Sequence, residues 1–296
     1  MIEKADWKDK IYIASAYVFV ALFALMCLYP FLLMVTSSFV DDLTLRLEGY
    51  SLIHSKWTLK AYQLVFRGAE VQRAYLISIL RTAIGSFGSL LVMAGLAYTM
   101  SLKRFKQRNK LAFFVYFAMI FTPSIIPWFI FTRNVLALRD NFAAIILPMM
   151  VQAYWVMVMR NFFAGLPQEI LESAYVDGAS DMTILFQIVL PLSLPVLATV
   201  GLFMAISYWN DWYLPLMLID RAPIRPLPLL IIKILNNIKS IEDAVKLPGM
   251  SIPLSSIPTE AVRMATAVVV IGPIILLYPF VQRYFIKGLT LGSVKG

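Results

Sequence analysis

Six stretches of the chain run for membrane-spanning lengths without a charged side chain: 11–35, 82–102, 111–132, 141–159, 182–210 and 264–282. Crossing about 30 Å of hydrocarbon takes about 20 apolar residues in a helix that rises 1.5 Å per residue. In lipid the backbone must satisfy its own hydrogen bonds, which leaves helices or closed barrels. Barrel strands alternate apolar and polar residues, and these stretches do not. The pattern predicts an all-α integral membrane protein with six transmembrane helices. Composition agrees: 60% of the 296 residues are hydrophobic and 15% charged, where soluble domains run to about half apolar and about a quarter charged. The first stretch is too long for a signal peptide's apolar region and no small-x-small cleavage pattern follows it, so it reads as a retained span. The fifth, at 29 residues, exceeds one span, which puts its first turns in the interface.

Six spans place both termini on one side. The connectors then form two sets: 1–10, 103–110, 160–181 and 283–296, with 12 Lys/Arg in 54 residues, and 36–81, 133–140 and 211–263, with 14 in 107. By raw count the positive-inside rule does not decide between them. By density it makes the first set cytoplasmic, with "KRFKQRNK" (103–110) its clearest element. The expected organisation is a cytoplasmic N-terminus at 1–10, a six-span domain at 11–282 carrying a cytoplasmic loop at 160–191, and a cytoplasmic tail at 283–296. On the outer side, "TLKAYQLVFRG" (58–68) reads as a short helix capped by Thr58. Residues 221–260 read as a helix between proline-rich loops.

Several function classes lose ground. The net charge of +9 does not imply nucleic acid, because no basic cluster is interleaved with stacking aromatics, and anionic lipid explains it. Cys27 stands alone in the first span and His54 is the chain's one histidine, so no metal site is expected. There is no Gly-x-x-x-x-Gly-Lys phosphate cradle, nucleophile elbow or His-Glu-x-x-His pair, so neither an enzyme nor a resident cofactor is expected. Proton-driven carriers usually bury ionisable groups in their helices. Here only Asp211 lies near the end of a span.

One connector is unlike the rest. "ESAYVDGASDMTILFQIVLPLSLP" (172–195) continues an acidic block, with Glu169 just before it and Glu172, Asp177 and Asp181 around an Asp-Gly turn. Pro167 at a first helical position, with Glu169 and Glu172 in the first turns, suits a short helix over "QEILESAYV" with Ile170, Leu171 and Ala174 on its apolar stripe. Gly178 ends it in a left-handed conformation, and a second helix starts near Ser180 and runs through Phe186 and Pro191. By composition alone, an ordinary interfacial loop is equally compatible.

The spacing Glu-x-Ala-x-x-Asp-Gly-Ala, then Phe, then Leu-Pro-x-x-x-Pro resembles the cytoplasmic "EAA loop" of binding-protein-dependent ABC importer permeases. The matching residues are Glu172, Ala174, Asp177, Gly178, Ala179, Phe186, Leu190, Pro191 and Pro195, with Ser173 where the family usually has Ala. The tail "YFIKGLTLGSVKG" is similar to that of MalG-like sugar permeases. The resemblance implies the type I importer permease fold in a bacterial inner membrane and an alternating-access mechanism. It also implies a second permease subunit, which makes a heterodimer, two cytoplasmic ATPase subunits that bind the ATP, and an extracytoplasmic sugar-binding protein. Glu172, Ala174, Asp177, Gly178, Ala179, Phe186 and Pro191 would then couple the spans to the ATPase, and the cargo would be an oligosaccharide. The alternative from another class is a stand-alone secondary carrier or channel for small polar solutes.

For the sugar path, "SYWNDWY" (207–213) offers Tyr208, Trp209, Asn210, Asp211 and Trp212. Tyr208, Asp211 and Trp212 would share a helical face, with rings to stack on sugar and polar groups to bond its hydroxyls. An interfacial aromatic belt is the competing explanation. Trp128, Gln152, Tyr154 and Trp155 are weaker candidates. Pro123 and Pro127 should kink the third span and open a cavity, and Gly85 with Ser89 forms a small-xxx-small pair suited to helix packing. The outer connectors carry 14 basic against 10 acidic residues. Such an excess, with Arg133 and Arg139 nearest the span ends, would favour an acidic, uronate-containing oligosaccharide.

Overall fold

The computed structural model describes residues 7–67, 69–245, 260–273 and 275, and every regular element among them is helical. One compact unit comprises Met1–Gly68 and Ile234–Gly272. Its α1 (Trp7–Ser38) contains the first apolar stretch and is exposed from Trp7 to Leu32, as expected of a helix whose neighbour is lipid. Asp41 caps α2 (Asp42–Glu48) by accepting from the Thr44 amide at 2.8 Å. Asp42 accepts the amides of Glu260 and Ala261, each at 2.8 Å, so a carboxylate meets the otherwise unbonded N–H groups that open α14 (260–273). The short helix α3 (Lys60–Val65) begins later than its Thr58 cap implied. Leu59 holds the cap position, and Thr58 Oγ1 instead accepts the Lys60 amide in a local turn.

The second unit comprises Ala69–Lys233 and Pro273–Gly296. Its α4 (Ala69–Ser101) starts well before the uncharged stretch at 82. Glu70, Arg73 and Arg81 interrupt hydropathy but favour helix as strongly as most apolar residues do. The next three stretches were expected as single helices, and each is a bent pair. α5 (Arg108–Ile120) meets α6 (Ile125–Ile130), which continues as a π-turn over Phe131–Val135, at 116°. The bend falls at Pro123, one of the two prolines expected to kink this span. A cavity of about 500 Å³ opens beside it, lined among others by Pro123, Trp128, Phe131 and Pro148. The fourth stretch starts as 3-10 turns at Ala143–Ile145 and Leu147–Met149 and bends by 53° into α7 (Ala153–Ala164). The fifth begins with α9 (Asp181–Ile184), a π-turn at Leu185–Val189 and α10 (Leu190–Leu192). It then turns 84° into α11 (Leu194–Asn210). Leu194 is followed by Pro195, which has no amide to continue the upstream ladder.

Two helices, α1 and α4, are thus long and apolar enough to cross a membrane unbroken, and the described residues hold three further bent pairs that qualify together. The sixth stretch is helical over 264–273 and at Ile275, and its other residues lie outside the described ones. Among the described residues α12 (Tyr213–Leu218) and α13 (Leu227–Val245) follow α11, α13 agreeing with the helix expected within 221–260.

The core of the second unit lies where α4 packs against α7 and α11. Met93, Ala97 and Met100 meet Val156, Met159 and Phe163, and Val196, Val200, Met204 and Tyr208. These recur at three- and four-residue spacing, one buried stripe per helix. Gly85 fits the packing role expected of it. A Cβ there would lie 2.6 Å from the Tyr208 ring, and the buried Ser89 hydroxyl is 3.2 Å from the Tyr208 hydroxyl.

Candidate functional site

Two places gather functional side chains, and both belong to the second unit. The first is the acidic hairpin. α8 (Gln168–Val176) covers the expected "QEILESAYV", but Pro167, with ψ 118°, holds the cap position just before it rather than the first helical position expected of it. Its end is a Schellman turn: Gly178 N–H donates to Tyr175 C=O at 3.1 Å and Ala179 N–H to Ala174 C=O at 2.9 Å. Gly178 has φ +79°, the left-handed conformation that glycine adopts without steric cost. Ser180 then caps α9 by accepting the Thr183 amide at 3.2 Å.

Leu171 and Ala174 point into the core, but Ile170 is exposed, which corrects the expected three-residue apolar stripe. Ile170 falls on the outward side with Glu169, Glu172, Ser173, Val176 (88% exposed), Asp177 and Gly178. Phe186 and Pro191 are exposed farther along, and Ala179 is half-buried. The hairpin therefore offers a surface of carboxylates around exposed aliphatic side chains, with small residues at the turn.

The second place is the junction after α11. The helical face expected to unite Tyr208, Asp211 and Trp212 does not form, because α11 ends at Asn210 and Asp211 is extended with ψ 113°. Tyr208 is 1% exposed, and its hydroxyl donates to Ile146 C=O at 2.9 Å. Trp209 is also buried, 6.3 Å from the Tyr75 ring. Asp211 is a structural junction: one carboxylate oxygen accepts the amides of Tyr213 and Leu214, both at 3.1 Å, and the other pairs with Arg81.

Arg81, which sequence reasoning counted only as one more outer charge, is fully buried. It donates to Ile145 C=O at 2.7 Å, Tyr208 C=O at 3.1 Å and Asp211 C=O at 2.9 Å. One guanidinium thus satisfies carbonyls at the end of α11 and in the 3-10 turn of the fourth stretch, where cations are favoured. The available signal was positional: an Arg directly before one uncharged stretch and an Asp directly after another. Of the five residues of the 207–213 run expected along the path, Asn210 and Trp212 (40% exposed) remain accessible.

Arg133 lies in a separate polar cluster centred on Asp220, two residues after α12. It is 3.5 Å from Asp220, which also pairs with Arg139 at 2.9 Å and accepts from Arg225 through its backbone carbonyl at 2.6 Å. Asp140 accepts the amides of Asp220 and Arg221 at 2.6 and 2.9 Å. The Arg221 amide bond above all, with neighbouring arginines, holds its carboxyl below the usual carboxylate range. Part of the positive excess expected on the outer connectors is therefore paired rather than free, which corrects the bare charge count. Arg133, Arg139, Arg221 and Arg225 still outnumber Asp140 and Asp220 here. Among the described residues no group of His, Cys, Asp and Glu gathers closely enough to hold a metal.

The model of the binding-protein-dependent transport system inner membrane component family matches residues 91–291. The chain belongs to that family. This is a family of transport permease subunits, not of enzymes. The Polygalacturonan/rhamnogalacturonan transport system permease protein YtcP of Bacillus subtilis is 34% identical over 98% of this chain and all of its own length. Protein LplC of the same organism is 33% identical, covering 90% of this chain and 89% of its own. A solved structure described as a bacterial ABC transporter involved in the import of the acidic polysaccharide alginate superposes with a TM-score of 0.82 at 28% identity. It covers 95% of this chain and 99% of that one. The fold is that of an ABC importer permease. The hairpin and the arginine–aspartate cluster around Asp220 lie within the residues that the family model matches.

Proposed function

We propose that this chain is a permease subunit of an ATP-driven ABC importer for acidic oligosaccharides in a bacterial inner membrane. The observation that carries the reading is the full-length likeness, at 34% identity, to a permease named for polygalacturonan and rhamnogalacturonan. The likeness to an alginate importer supports it, since these names share uronate-containing polymers. In this reading six spans cross the bilayer with both termini cytoplasmic: residues 1–10 inside, a permease domain over 11–282, and a tail at 283–296. A second permease subunit, two ATPases that bind ATP and an external sugar-binding protein complete the transporter. The exposed side of the 160–191 loop docks on an ATPase through Glu172, Asp177 and Gly178, with Phe186 and Pro191 flanking, while Ala174 and Ala179 hold the hairpin to the core. ATP favours one conformation because it binds the closed ATPase pair, and the docked hairpin passes that preference to the spans.

Arg133, Asn210 and Trp212 stand along the sugar path in this reading, whereas Tyr208, Trp209 and Asp211 shape its wall. Four arginines around two aspartates leave a local positive surplus that raises the concentration of an anionic oligomer, more strongly at low salt. The test is uptake into liposomes by the assembled transporter, comparing a galacturonate oligomer with a neutral glucose oligomer of equal length. The expected result is ATP-dependent uptake of the acidic oligomer, reduced several-fold in Arg133→Gln and less so at high salt. Equal handling of both oligomers by both proteins would reduce the cluster to surface chemistry. Transport by the purified single chain without ATP would overturn the reading altogether.

A further inference from the structure

The C-terminal end of α4 meets the acidic hairpin through a polar cluster that packing alone does not require. Tyr98, nearly fully buried, has its hydroxyl 3.1 Å from the Tyr175 hydroxyl and 3.4 Å from Asp181 Oδ1. Tyr175 donates to the same Oδ1 at 3.0 Å. Arg104, from the loop after α4, pairs with that oxygen too, and its guanidinium lies 4.1 Å from the centre of the Tyr175 ring. One carboxylate oxygen at the start of α9 thus gathers donors from α4, from the following loop and from the end of α8. Burial pushes the Tyr175 hydroxyl up from its ordinary value, so at neutral pH it keeps the proton it donates.

Two features argue that this cluster sets geometry more than stability. Arg104 and Asp181 are each about half exposed (52% and 51%), and exposed ion pairs contribute little to folding. A cavity of about 230 Å³, bordered by Ser101, Lys103, Arg104, Gln168, Leu171 and Glu172 among others, opens beside Tyr175. α8 is therefore not packed evenly against the 101–104 segment. Leu171 and Ala174 anchor it to the core, and the polar cluster fixes its far end. Without those bonds α8 could tilt about the Leu171–Ala174 contact into the cavity.

We propose that Tyr98, Tyr175, Asp181 and Arg104 are positioning residues forming a latch that makes the hairpin and α4 move as one body, so that a displacement of α8 is delivered to that span. The latch rests on the reading of the hairpin as the ATPase-docking element. It places coupling in a specific set of bonds rather than in the docking surface itself.

The test uses the assembled transporter with Cys27→Ser in this chain and spin labels on cysteines at Met182, on the hairpin, and Phe87, on α4, both exposed. Distances are measured without nucleotide and with ATP trapped. The expected result is one unchanged distance in both states for the parent. In Tyr98→Phe/Tyr175→Phe/Asp181→Asn a second distance should appear only with ATP, because the hairpin follows the ATPases while α4 lags. The phenylalanines keep both rings, so the core stays filled. The charge exchange Arg104→Asp/Asp181→Arg should return the single distance to a chain that either change alone disturbs. A parent distance that already changes with ATP, or a triple variant that keeps a single distance in both states, would overturn the latch. Failure of the docking reading would look different: retention of the ATPase on the purified chain would be indifferent to Gly178→Val and Glu172→Lys.

Discussion

At Gly85 the requirement for a single residue type is set by a side chain 123 positions away. The ring of Tyr208 lies where a Cβ would be, with three ring carbons within 2.8 Å of it, and that ring is itself held by hydroxyl bonds to Ile146 C=O and Ser89. Gly85→Ala should therefore force α4 and α11 apart and cost about 1–3 kcal/mol, the usual range for overpacking. A lower midpoint of thermal unfolding in detergent would report it, and Gly95→Ala, where a Cβ meets nothing within 4 Å, is the matched control. An unchanged midpoint in Gly85→Ala would mean that the Tyr208 ring yields freely. This scale was the least legible in the sequence. The Gly85–Ser89 spacing announces a close contact but not its partner, because a Tyr beside Asn and Asp carries the same local signature whether it faces a sugar path or a neighbouring helix. Arg81 was missed for the related reason that its bonds reach 64 to 130 residues along the chain. Local pattern holds no record of such distances.

At the level of elements the hairpin was the most legible part, because its signals are local. A proline before the helix, glutamates in its first turns, and Asp-Gly then Ser at the turn act through bonds spanning a few residues. That locality also makes the turn a sharp probe. Left-handed backbone costs a side-chain-bearing residue roughly 1–2 kcal/mol, most for β-branched residues and least for Asn. Substitutions at Gly178 should therefore rank Asn, Ala, Val in increasing loss of ATP-driven uptake, while the chain still inserts into the membrane at parental levels. Parental uptake by Gly178→Val would remove the turn from the coupling path. The apolar stretches were legible as helical but not in shape: two are long enough to cross unbroken and three are bent pairs. Hydropathy sums side chains and is blind to backbone, so it joined α5 to α6, the 3-10 turns to α7, and α10 to α11. Pro123 betrayed the first bend. The 84° turn at Ser193 was hidden because Pro191 and Pro195 sit among residues that are otherwise good helix formers.

For the whole molecule, orientation follows from charge, and here charge density and raw count give different answers. The segment 103–110 carries five basic and no acidic residues, and the negative surface potential of the cytoplasmic leaflet favours each such charge by about 1 kcal/mol. The outer set spreads its basic residues over twice the length and binds several internally, Arg81 to Asp211 and Arg133 and Arg139 to Asp220. A guanidinium already paired with a carboxylate has less free energy to gain at a lipid surface, so the bare count overstates that set's pull. Single cysteines at Lys106, Val176 and Lys239, all exposed positions, in a Cys27→Ser chain separate the two orientations. A membrane-impermeant thiol reagent applied to intact cells should label 239 and spare 106 and 176, and permeabilised cells should label all three. Reversed labelling would put the acidic hairpin outside. It would then be out of reach of any cytoplasmic ATPase, and both the docking surface and the latch behind it would lose their purpose.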